Sequence, residues 1–304
     1  MANLREIKAR IDSVKSTMQV TRTMEMISTA KIRRALERAQ EAEPYKEAIT
    51  LMLSNVAGAS AHSDEPLLQR HEAERCVLFI LIASDRGMAG GFNIQPQRTV
   101  QREMEALEKR GVACEVITCG RRPTEYFTAR GRKPVLSFQG NSSEPTMDEA
   151  DRIASYLMDG YVRGLIDRVV LYYSHARNRV DQEFVTEQVL PVTAEDLVMV
   201  NAPREPEAIT PIEGQRNTEY EFEPSASQVL GFLMPAYIRT IIYHALLDSA
   251  AAEHGARRRA MQSATDNAKE VITALSRTYN RERQGSITTE LTEIIAGASA
   301  LEDK

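Results

Sequence analysis

The strongest constraint on the fold is an apolar stripe at the start of the chain, where large side chains recur at spacings of three and four. Its members are Leu4, Ile7, Ile11, Val14 and Met18, after which the stripe is predicted to shift to Val20, Met24 and Ile27. This spacing forms the seam of a coiled coil, so the helix needs a second helix to cover it. Only Pro44, which could kink or break the helix, interrupts the pattern before Gly58. We therefore predict an N-terminal coiled-coil helix over residues 1–58, on the order of 85 Å long.

A second long helical region is predicted at the other end of the chain, over residues 225–304. Ser225 or Ser227 can cap it, and Pro235 is expected to begin a fresh helix after a short first one. Its seam is built mainly from small residues, which let two helix axes approach closely: Ile242, Ala245, Ser249, Ala252, Ala256, Ala260, Ala264 and Ala268. The two ends of the chain are therefore predicted to form a long antiparallel coiled coil.

The middle of the chain, residues 75–200, has a different pattern in which short apolar runs alternate with helical stretches. The predicted strands cover residues 76–84, 113–118, 133–138, 168–174 and 183–190, and the predicted helices cover residues 93–110, 121–131 and 146–164. Alternating strands and helices form a parallel sheet covered on both faces, and the last two strands suggest a hairpin with an antiparallel edge. The predicted class is α/β, with a Rossmann-like, mostly parallel five-stranded sheet inserted into the coiled coil. Residues 201–224, rich in Pro and Glu, are predicted to be a linker.

Composition restricts the functional classes. The 304 residues carry a net charge of -5, which argues against a surface devoted to nucleic acid, although residues 1–40 hold nine Lys and Arg against four Asp and Glu. Three cysteines, Cys76, Cys114 and Cys119, fit free thiols in a reducing compartment. The sequence has neither a signal-peptide core nor an uninterrupted apolar run of roughly 18 to 20 residues, so membrane contact is expected to be indirect.

One loop is a candidate for ligand binding. Residues Asp85 to Asn93, read as DRGMAGGFN, follow the first strand and precede a helix, the place where phosphates often bind helix N-terminal N–H groups. The loop matches neither GxGxxG nor GxxxxGK[ST] and has no lysine. A nucleotide-binding α/β enzyme using the Gly87–Asn93 segment is kept as the alternative, against a turn whose glycines permit positive φ or tight packing.

Other catalytic chemistry is not indicated by the sequence. The five histidines have no HExxH or comparable spacing, the cysteines lack a second ligand pair, and no GxSxG elbow is present. We therefore expect no metal, no cofactor and no catalytic residue in this chain. The basic run Arg257 to Arg259 fits a solvated helix face or a contact to acidic loops of a partner. A coiled-coil scaffold for nucleic acid remains a further hypothesis, although no aromatic residues interleave with these arginines.

The end of the chain carries an apolar face without an evident cover. Ile287, Leu291, Ile294 and Ile295 lie on one side of the predicted helix. Because the C-terminal helix is longer than the N-terminal one, this end is expected to project beyond its partner. Either the helix end folds back on the core or a different chain sheathes it.

Several segments together resemble the γ subunit of F-type ATP synthases, from one end of the chain to the other. They are IKARI at residues 7–11, TMEMI at 23–27, SDRGMAGGFN at 84–93, ATDNA at 264–268 and RQGSITTELTEI at 283–294. The resemblance implies a central rotor shaft that couples proton-driven rotation of the c-ring to ATP synthesis and hydrolysis on β subunits. It implies a non-catalytic chain inside a ring of three α and three β subunits, in contact with ε and the c-ring.

The resemblance also implies roles for individual residues. Arg257, Arg283, Gln284 and Thr288 match polar contacts with the β catch loops, and Met24 matches a position facing the β lever. The tail residues Ile287, Leu291, Ile294 and Ile295 match the tip held in a bearing of α and β subunits. Gly285 departs from the Ala usual in the family, and Met88 and Ala89 vary the loop. The regulatory dithiol insert of chloroplast chains is not apparent and no transit peptide is recognised, so the resemblance implies a bacterial complex, peripheral on the cytoplasmic face of the plasma membrane.

Overall fold

A computed structural model describes residues 4–59, 65–178, 181–193, 222–223 and 225–302 of the chain. It divides into two compact units, one comprising residues 30–256 and the other comprising residues 1–29 with residues 257–304. We refer to them as the sheet unit and the terminal unit. The predicted linker, residues 201–224, lies outside the described residues except for residues 222 and 223.

The described residues form five helices and five strands. The helices are α1 (Leu4–Ala59), α2 (Ile94–Glu108), α3 (Arg121–Thr128), α4 (Met147–Val162) and α5 (Ala226–Glu302). The strands are β1 (Cys76–Ile82), β2 (Ala113–Cys119), β3 (Leu136–Phe138), β4 (Arg168–His175) and β5 (Glu183–Leu190). Every strand and helix predicted between residues 76 and 190 is present, with ends displaced by at most three residues.

The five strands form one sheet in the order β3-β2-β1-β4-β5. Three of the four pairings in the sheet are parallel, and in the fourth β5 runs antiparallel to β4. Strands β1 and β4 are almost entirely buried, as expected for central strands covered on both faces. The sequence prediction of a mostly parallel sheet with one antiparallel edge is confirmed.

Two apolar clusters cover the two faces of the sheet. On one face, alternate residues of β1 and β4 pack with buried residues of α4, of the second half of α1 and of the first part of α5. On the other face, the intervening residues of β1 and β4, including Phe79 and Tyr172, pack with α2 and α3. Burial of these side chains is the main stabilising contribution of the sheet unit.

Proline does not interrupt either long helix, so the predicted fresh helix start at Pro235 is wrong. The helix α5 runs through Pro235, and α1 runs through Pro44. Proline removes one helical hydrogen bond and crowds the carbonyl four residues earlier, which here belongs to Gly231. The neighbouring side chains of Leu230, Met234 and Ile238 are fully buried, and their packing outweighs the local cost of the proline.

Within α5, one 18-residue window reaches a mean hydropathy of 1.4, which by length and composition alone would suffice to cross a membrane. Of this window, 56% is buried inside the structure. The segment Leu230 to Leu246 contributes to the larger apolar cluster of the sheet unit, and this role as a core helix accounts for its apolar composition.

In the terminal unit, α1 and α5 pack on each other along a seam that differs from the predicted one. Ile11 and Ser28 of α1 are buried, and the hydroxyls of Thr21 and Thr265 are 2.8 Å apart. Val20 and Ile27 are more than half exposed, so the predicted shift of the stripe onto them is wrong. The seam keeps its original heptad spacing through Thr21 and Ser28, because small polar side chains fit between closely packed helices. The buried residues of α5 in this unit are Arg257, Met261, Thr265 and Ala268, whereas Ala260 and Ala264 are half-buried.

Candidate partner-contact surface

The residues predicted to contact a partner all lie in the terminal unit, but at two separate levels. Arg283, Gln284 and Thr288 are exposed on α5. Arg257 lies earlier on the same helix, roughly 39 Å along its axis at 1.5 Å per residue, and is only 7% exposed. Met24 is half-buried on α1, one turn from Thr21. The predicted contacts therefore divide into one exposed group near the end of α5 and two more buried residues, Arg257 on α5 and Met24 on α1.

The exposed group offers a cation and an amide for hydrogen bonding. The Thr288 hydroxyl donates to the Gln284 carbonyl at 2.9 Å, and the Thr292 hydroxyl donates to the Thr288 carbonyl at 2.8 Å. These threonines thus use their donors within the helix. The Arg283 guanidinium and the Gln284 side-chain amide are the donors that extend to solvent from this surface.

A group of exposed apolar side chains, the apolar tip, follows the polar group along α5. We define it as Ile287, Leu291, Ile294 and Ile295, whose side chains are between 48% and 66% exposed. All described side chains from Ile287 to Ala296 are exposed. The alternative in which the helix end folds back on a core does not occur among the described residues, and an apolar face of this kind is typical of a binding surface.

A further exposed apolar patch was missed by the sequence interpretation. Val20, Met26 and Ile27 on α1 are 58%, 58% and 53% exposed, and we call them the outer patch. The sequence interpretation placed two of them in the seam. A strict heptad continued from Leu4 through Thr21 and Ser28 would have left all three outside it.

Gly285 lies between the polar group and the apolar tip, and a β-carbon added there would meet no atom within 4 Å. We expect Gly285→Ala to stabilise this part of α5 by about 1 kcal/mol, because alanine loses less backbone entropy than glycine in a helix. In amide hydrogen exchange, residues 281–289 should exchange about fivefold more slowly in the variant. Equal or faster exchange would show that Gly285 has a local role other than helix propensity.

The loop proposed for nucleotide binding holds its own carboxylate where an anion would bind. The Asp85 carboxylate accepts hydrogen bonds from the backbone N–H groups of Arg121, Gly140 and Ser142 at 2.8, 2.9 and 2.9 Å. Arg121 is the first residue of α3, so Asp85 caps this helix N-terminus. Burial raises the pKa of Asp85, but the three backbone hydrogen bonds outweigh this effect and hold the pKa below its usual value.

The rest of the loop is fixed by internal hydrogen bonds and packing. The Asn93 side-chain carbonyl accepts from the backbone N–H of Ser84 at 3.0 Å, and Met88 adopts a positive φ of 61°. Ala89 and Phe92 are buried against Ala252 and Ala256 of α5. The loop therefore fits the alternative of a tight packing turn, and its geometry does not favour the nucleotide-binding hypothesis.

A chain of hydrogen-bonding carboxylate and imidazole side chains connects α1, α5 and β4 in the sheet unit. Glu43 on α1 is hydrogen-bonded to Nε2 of His244 on α5. Nδ1 of His244 lies 3.5 Å from Oδ2 of Asp248, and the same oxygen lies 2.6 Å from Nδ1 of His175 at the end of β4. Spacing in the sequence gave no sign of this chain, because Glu43 and His244 are separated by 201 residues.

Glu43 makes the stability of the sheet unit sensitive to acid. The hydrogen bond from His244 lowers the pKa of Glu43 from 4.5 to about 2. A lowered pKa means that the stabilisation is present above pH 4.5 and is lost as the pH falls towards 2. Because the Glu43 side chain is 45% exposed, solvent screening reduces the expected effect to about 1 kcal/mol.

We expect Glu43→Gln to remove this part of the pH dependence. The free energy of unfolding, measured by urea titration between about pH 5 and about pH 2.5, where Glu43 is protonated in the unfolded chain but still largely ionised in the folded one, should fall less steeply in the variant than in the wild type. Glu47→Gln, at an exposed carboxylate one turn later on α1, is the matched control and should keep the wild-type slope. Identical slopes for wild type and Glu43→Gln would contradict the role of this contact.

The described residues contain no group of three or more His, Cys, Asp or Glu side chains placed to hold a metal ion. All three cysteines are free, and burial raises the pKa of the Cys76 and Cys114 thiols to about 11. The buried Cys119 thiol has its pKa raised further by the same cause. Thiols of this kind are poor nucleophiles at neutral pH.

Comparison with known proteins assigns this chain to a family. The family model described as ATP synthase matches residues 3–301, which is nearly the whole chain. Among solved structures, a chain of the Euglena gracilis mitochondrial ATP synthase (OSCP/F1/c-ring, rotational state 3) is 17% identical, with a TM-score of 0.65. The match covers 98% of this chain and 94% of that one.

Two further structures have the same fold. A chain of the central stalk/c-ring structure of the Tetrahymena thermophila mitochondrial ATP synthase is 20% identical, with a TM-score of 0.59, and the match covers 81% of this chain and 99% of that one. A chain of the Euglena gracilis rotor in rotational state 1 is 14% identical, with a TM-score of 0.59 and coverage of 93% and 98%. The family match over residues 3–301, together with the coiled coil and its inserted sheet, means that this chain belongs to the F-type ATP synthase family as its γ subunit, the non-catalytic central rotor stalk.

Proposed function

We propose that this chain turns inside a ring of three α and three β subunits and is driven by a c-ring, with ε bound to it. The single observation that best supports this role is the apolar tip, which is exposed although it follows directly on a polar surface. An apolar helix end is stabilised only when another protein surrounds it. A ring of subunits with apolar inner walls would supply that cover.

The polar group beside the tip is proposed to contact the β catch loops. Arg283 can form charge-assisted hydrogen bonds with carboxylates of a partner, and Gln284 adds an amide that both donates and accepts. Thr288 bonds within the helix and would contact a partner through its methyl group and its oxygen lone pair. Arg257 is mostly buried in the chain, so its proposed contact is limited to the small exposed part of its side chain.

The outer patch extends the proposed contact to the β lever. Met24 was assigned there by resemblance, and Val20, Met26 and Ile27 present a larger exposed apolar area on the same helix. Burial of apolar area stabilises an interface at about 25 cal/mol per Å². We infer that these four residues act together as the lever contact.

The coupling of shaft rotation to conformational change in the β subunits follows from the asymmetry of the shaft. A shaft that presents different side chains to each β subunit stabilises a different conformation in each, and rotation exchanges these conformations in turn. A ligand or partner shifts a conformational equilibrium only by its differential interaction with the two states. ATP chemistry remains on β, in agreement with the non-catalytic class of this chain.

Membership in an ATP synthase implies a peripheral position at a membrane as part of the F1 portion. We propose that this membrane is the bacterial plasma membrane, with the chain on its cytoplasmic face and no direct lipid contact. We also propose that residues 1–58 and 225–304 are the shaft, that residues 75–200 are the α/β domain resting near the c-ring, and that residues 201–224 link them.

Removal of the Arg283 guanidinium tests the catch-loop contact. In membranes reconstituted with purified F1, Arg283→Ala is expected to lower proton-driven ATP synthesis by roughly tenfold, the factor that corresponds to about 1.4 kcal/mol. Thr289→Ala is the matched control, because Thr289 is an exposed residue less than two turns further along α5 and bonds within the helix at 3.0 Å. Equal synthesis rates for Arg283→Ala and wild type would remove Arg283 from the proposed contact.

A further inference from the structure

The carboxyl edge of the sheet is the usual ligand position of a doubly wound fold. Chain order along the sheet reverses between β1 and β4, since β2 and β3 lie on one side of β1 and β4 lies on the other. Ligands of such sheets bind in the crevice outside the carboxyl ends of the two strands at this switch point.

The crevice is filled by α5. Ala252 and Ala256 pack against Ala83 and Phe92, which follow β1, and against Ala176, which follows β4. Their small side chains let the helix approach the strand ends closely. The Asp85 carboxylate meanwhile takes the backbone N–H of Arg121 at the start of α3, which an anionic ligand would otherwise use.

Two buried carboxylates of α5 hold the helix in this crevice. Asp248, 4% exposed, lies 2.6 Å from the ring of His175 at the end of β4. Glu253, 2% exposed, accepts a hydrogen bond at 3.0 Å from the Ser142 hydroxyl, in the loop after β3. Strands β4 and β3 lie on opposite sides of β1, so the two contacts lie on opposite sides of the switch point.

Ser142 connects this contact to Asp85. Its backbone N–H donates to the Asp85 carboxylate at 2.9 Å, and its Oγ accepts from the Asp85 backbone N–H at 3.0 Å while donating to Glu253. One hydroxyl therefore joins the loop after β1, the loop after β3 and the helix. Hydrogen bonds are directional, whereas apolar packing is not, so these polar contacts resist sliding and rotation of the sheet on α5 more than the alanine contacts do.

We propose that residues 248–256 of α5 occupy the ligand position of the sheet, and that Ser142 is a positioning residue that fixes the sheet against rotation about this helix. The inference rests on the rotor role proposed above, because the torque applied to the sheet by the c-ring must pass into α5 through these contacts. The DRGMAGGFN loop, residues 85–93, is then a surface against which α5 packs, and we call it the socket.

Amide hydrogen exchange of the full chain tests the socket. Ser142→Ala is expected to raise exchange in residues 248–256 by roughly tenfold, because the buried Glu253 carboxylate loses a donor. Ser142→Thr keeps the hydroxyl and should restore the wild-type rate. Ser143→Ala, at the adjacent half-buried serine, is the matched control and should leave exchange unchanged.

The same variants in reconstituted ATP synthase test the positioning role of Ser142. The ratio of proton-driven synthesis to ATP hydrolysis should fall severalfold in Ser142→Ala and recover in Ser142→Thr. An unchanged exchange rate in Ser142→Ala would overturn the socket, and faster exchange with an unchanged ratio would overturn the positioning role. If the wild-type chain itself supports no synthesis, the proposed rotor function fails and the positioning role fails with it, whereas the exchange rates still decide the socket.

Discussion

Removal of residues 285–304 is expected to abolish most proton-driven ATP synthesis while leaving the sheet unit folded. The deletion takes away the apolar tip, whose side chains are exposed in the isolated chain and make no contribution to a core. Because the sheet unit ends at residue 256, its free energy of unfolding should stay within about 0.5 kcal/mol of the wild-type value, the usual effect of a change at an exposed site. ATP synthesis by reconstituted membranes measures the loss of function, and urea unfolding of the isolated chain measures any loss of stability.

A double substitution separates the loss of the proposed bearing contact from the loss of helix length. Leu291→Asp with Ile295→Asp keeps α5 at its full length but places charges on the face that a partner would bury. Thr289→Asp with Glu293→Gln alters exposed residues without adding net charge or removing an apolar side chain, and serves as the control. Normal synthesis by both the deletion and the charged variant would contradict a bearing role for the tip.

Gly120→Ala is expected to destabilise the sheet unit strongly. Gly120 has φ 112° and ψ 150°, a region of backbone conformation that is essentially restricted to glycine. A β-carbon at this position would lie 2.5 Å from the carbonyl oxygen and 2.9 Å from the carbonyl carbon of Ala83. Both neighbours are backbone atoms of the strand end, so they cannot move aside as a flexible side chain could.

We expect a loss of about 4 kcal/mol in the free energy of unfolding, from backbone strain together with the clash. Gly111→Ala is the matched control, because Gly111 also has positive φ, at 82°, but a β-carbon there meets no atom within 4 Å. That variant should lose only about 1 kcal/mol. Similar losses for the two variants would show that the close approach of Gly120 to Ala83 does not limit the structure.

The sheet was predictable because its strands are short apolar runs separated by amphipathic helices. Burial on both faces makes runs such as residues 76–82 apolar throughout, and no distant contact is needed to recognise them. The Pro235 prediction failed because local propensity was outweighed by tertiary packing of its neighbours, which the sequence does not display.

The exposed apolar surface of the terminal unit was predictable in part. The exposure of the tip was expected because four large apolar residues repeat at helical spacing near the end of the longer terminal helix. The outer patch was missed because Val20 and Ile27 are apolar and were placed in the seam, whereas the seam uses Thr21 and Ser28. Small polar residues at a close helix contact carry no hydrophobic signal.

The socket could not be predicted from the sequence. Ser142 and Glu253 are 111 residues apart, and neither belongs to a recognised motif. The loop of Asp85 was singled out for its glycines, but its function depends on where its carboxylate points. The geometry assigns that carboxylate to three backbone N–H groups of the chain itself.

The most direct test of the rotor role is MgATP hydrolysis by purified α and β subunits, with and without this chain, followed by size analysis of the mixture. The rotor role predicts that the chain alone is inert, that it joins at one copy for three αβ pairs, and that it raises the hydrolysis rate. Folded α and β subunits that neither bind the chain nor gain activity from it would contradict that role.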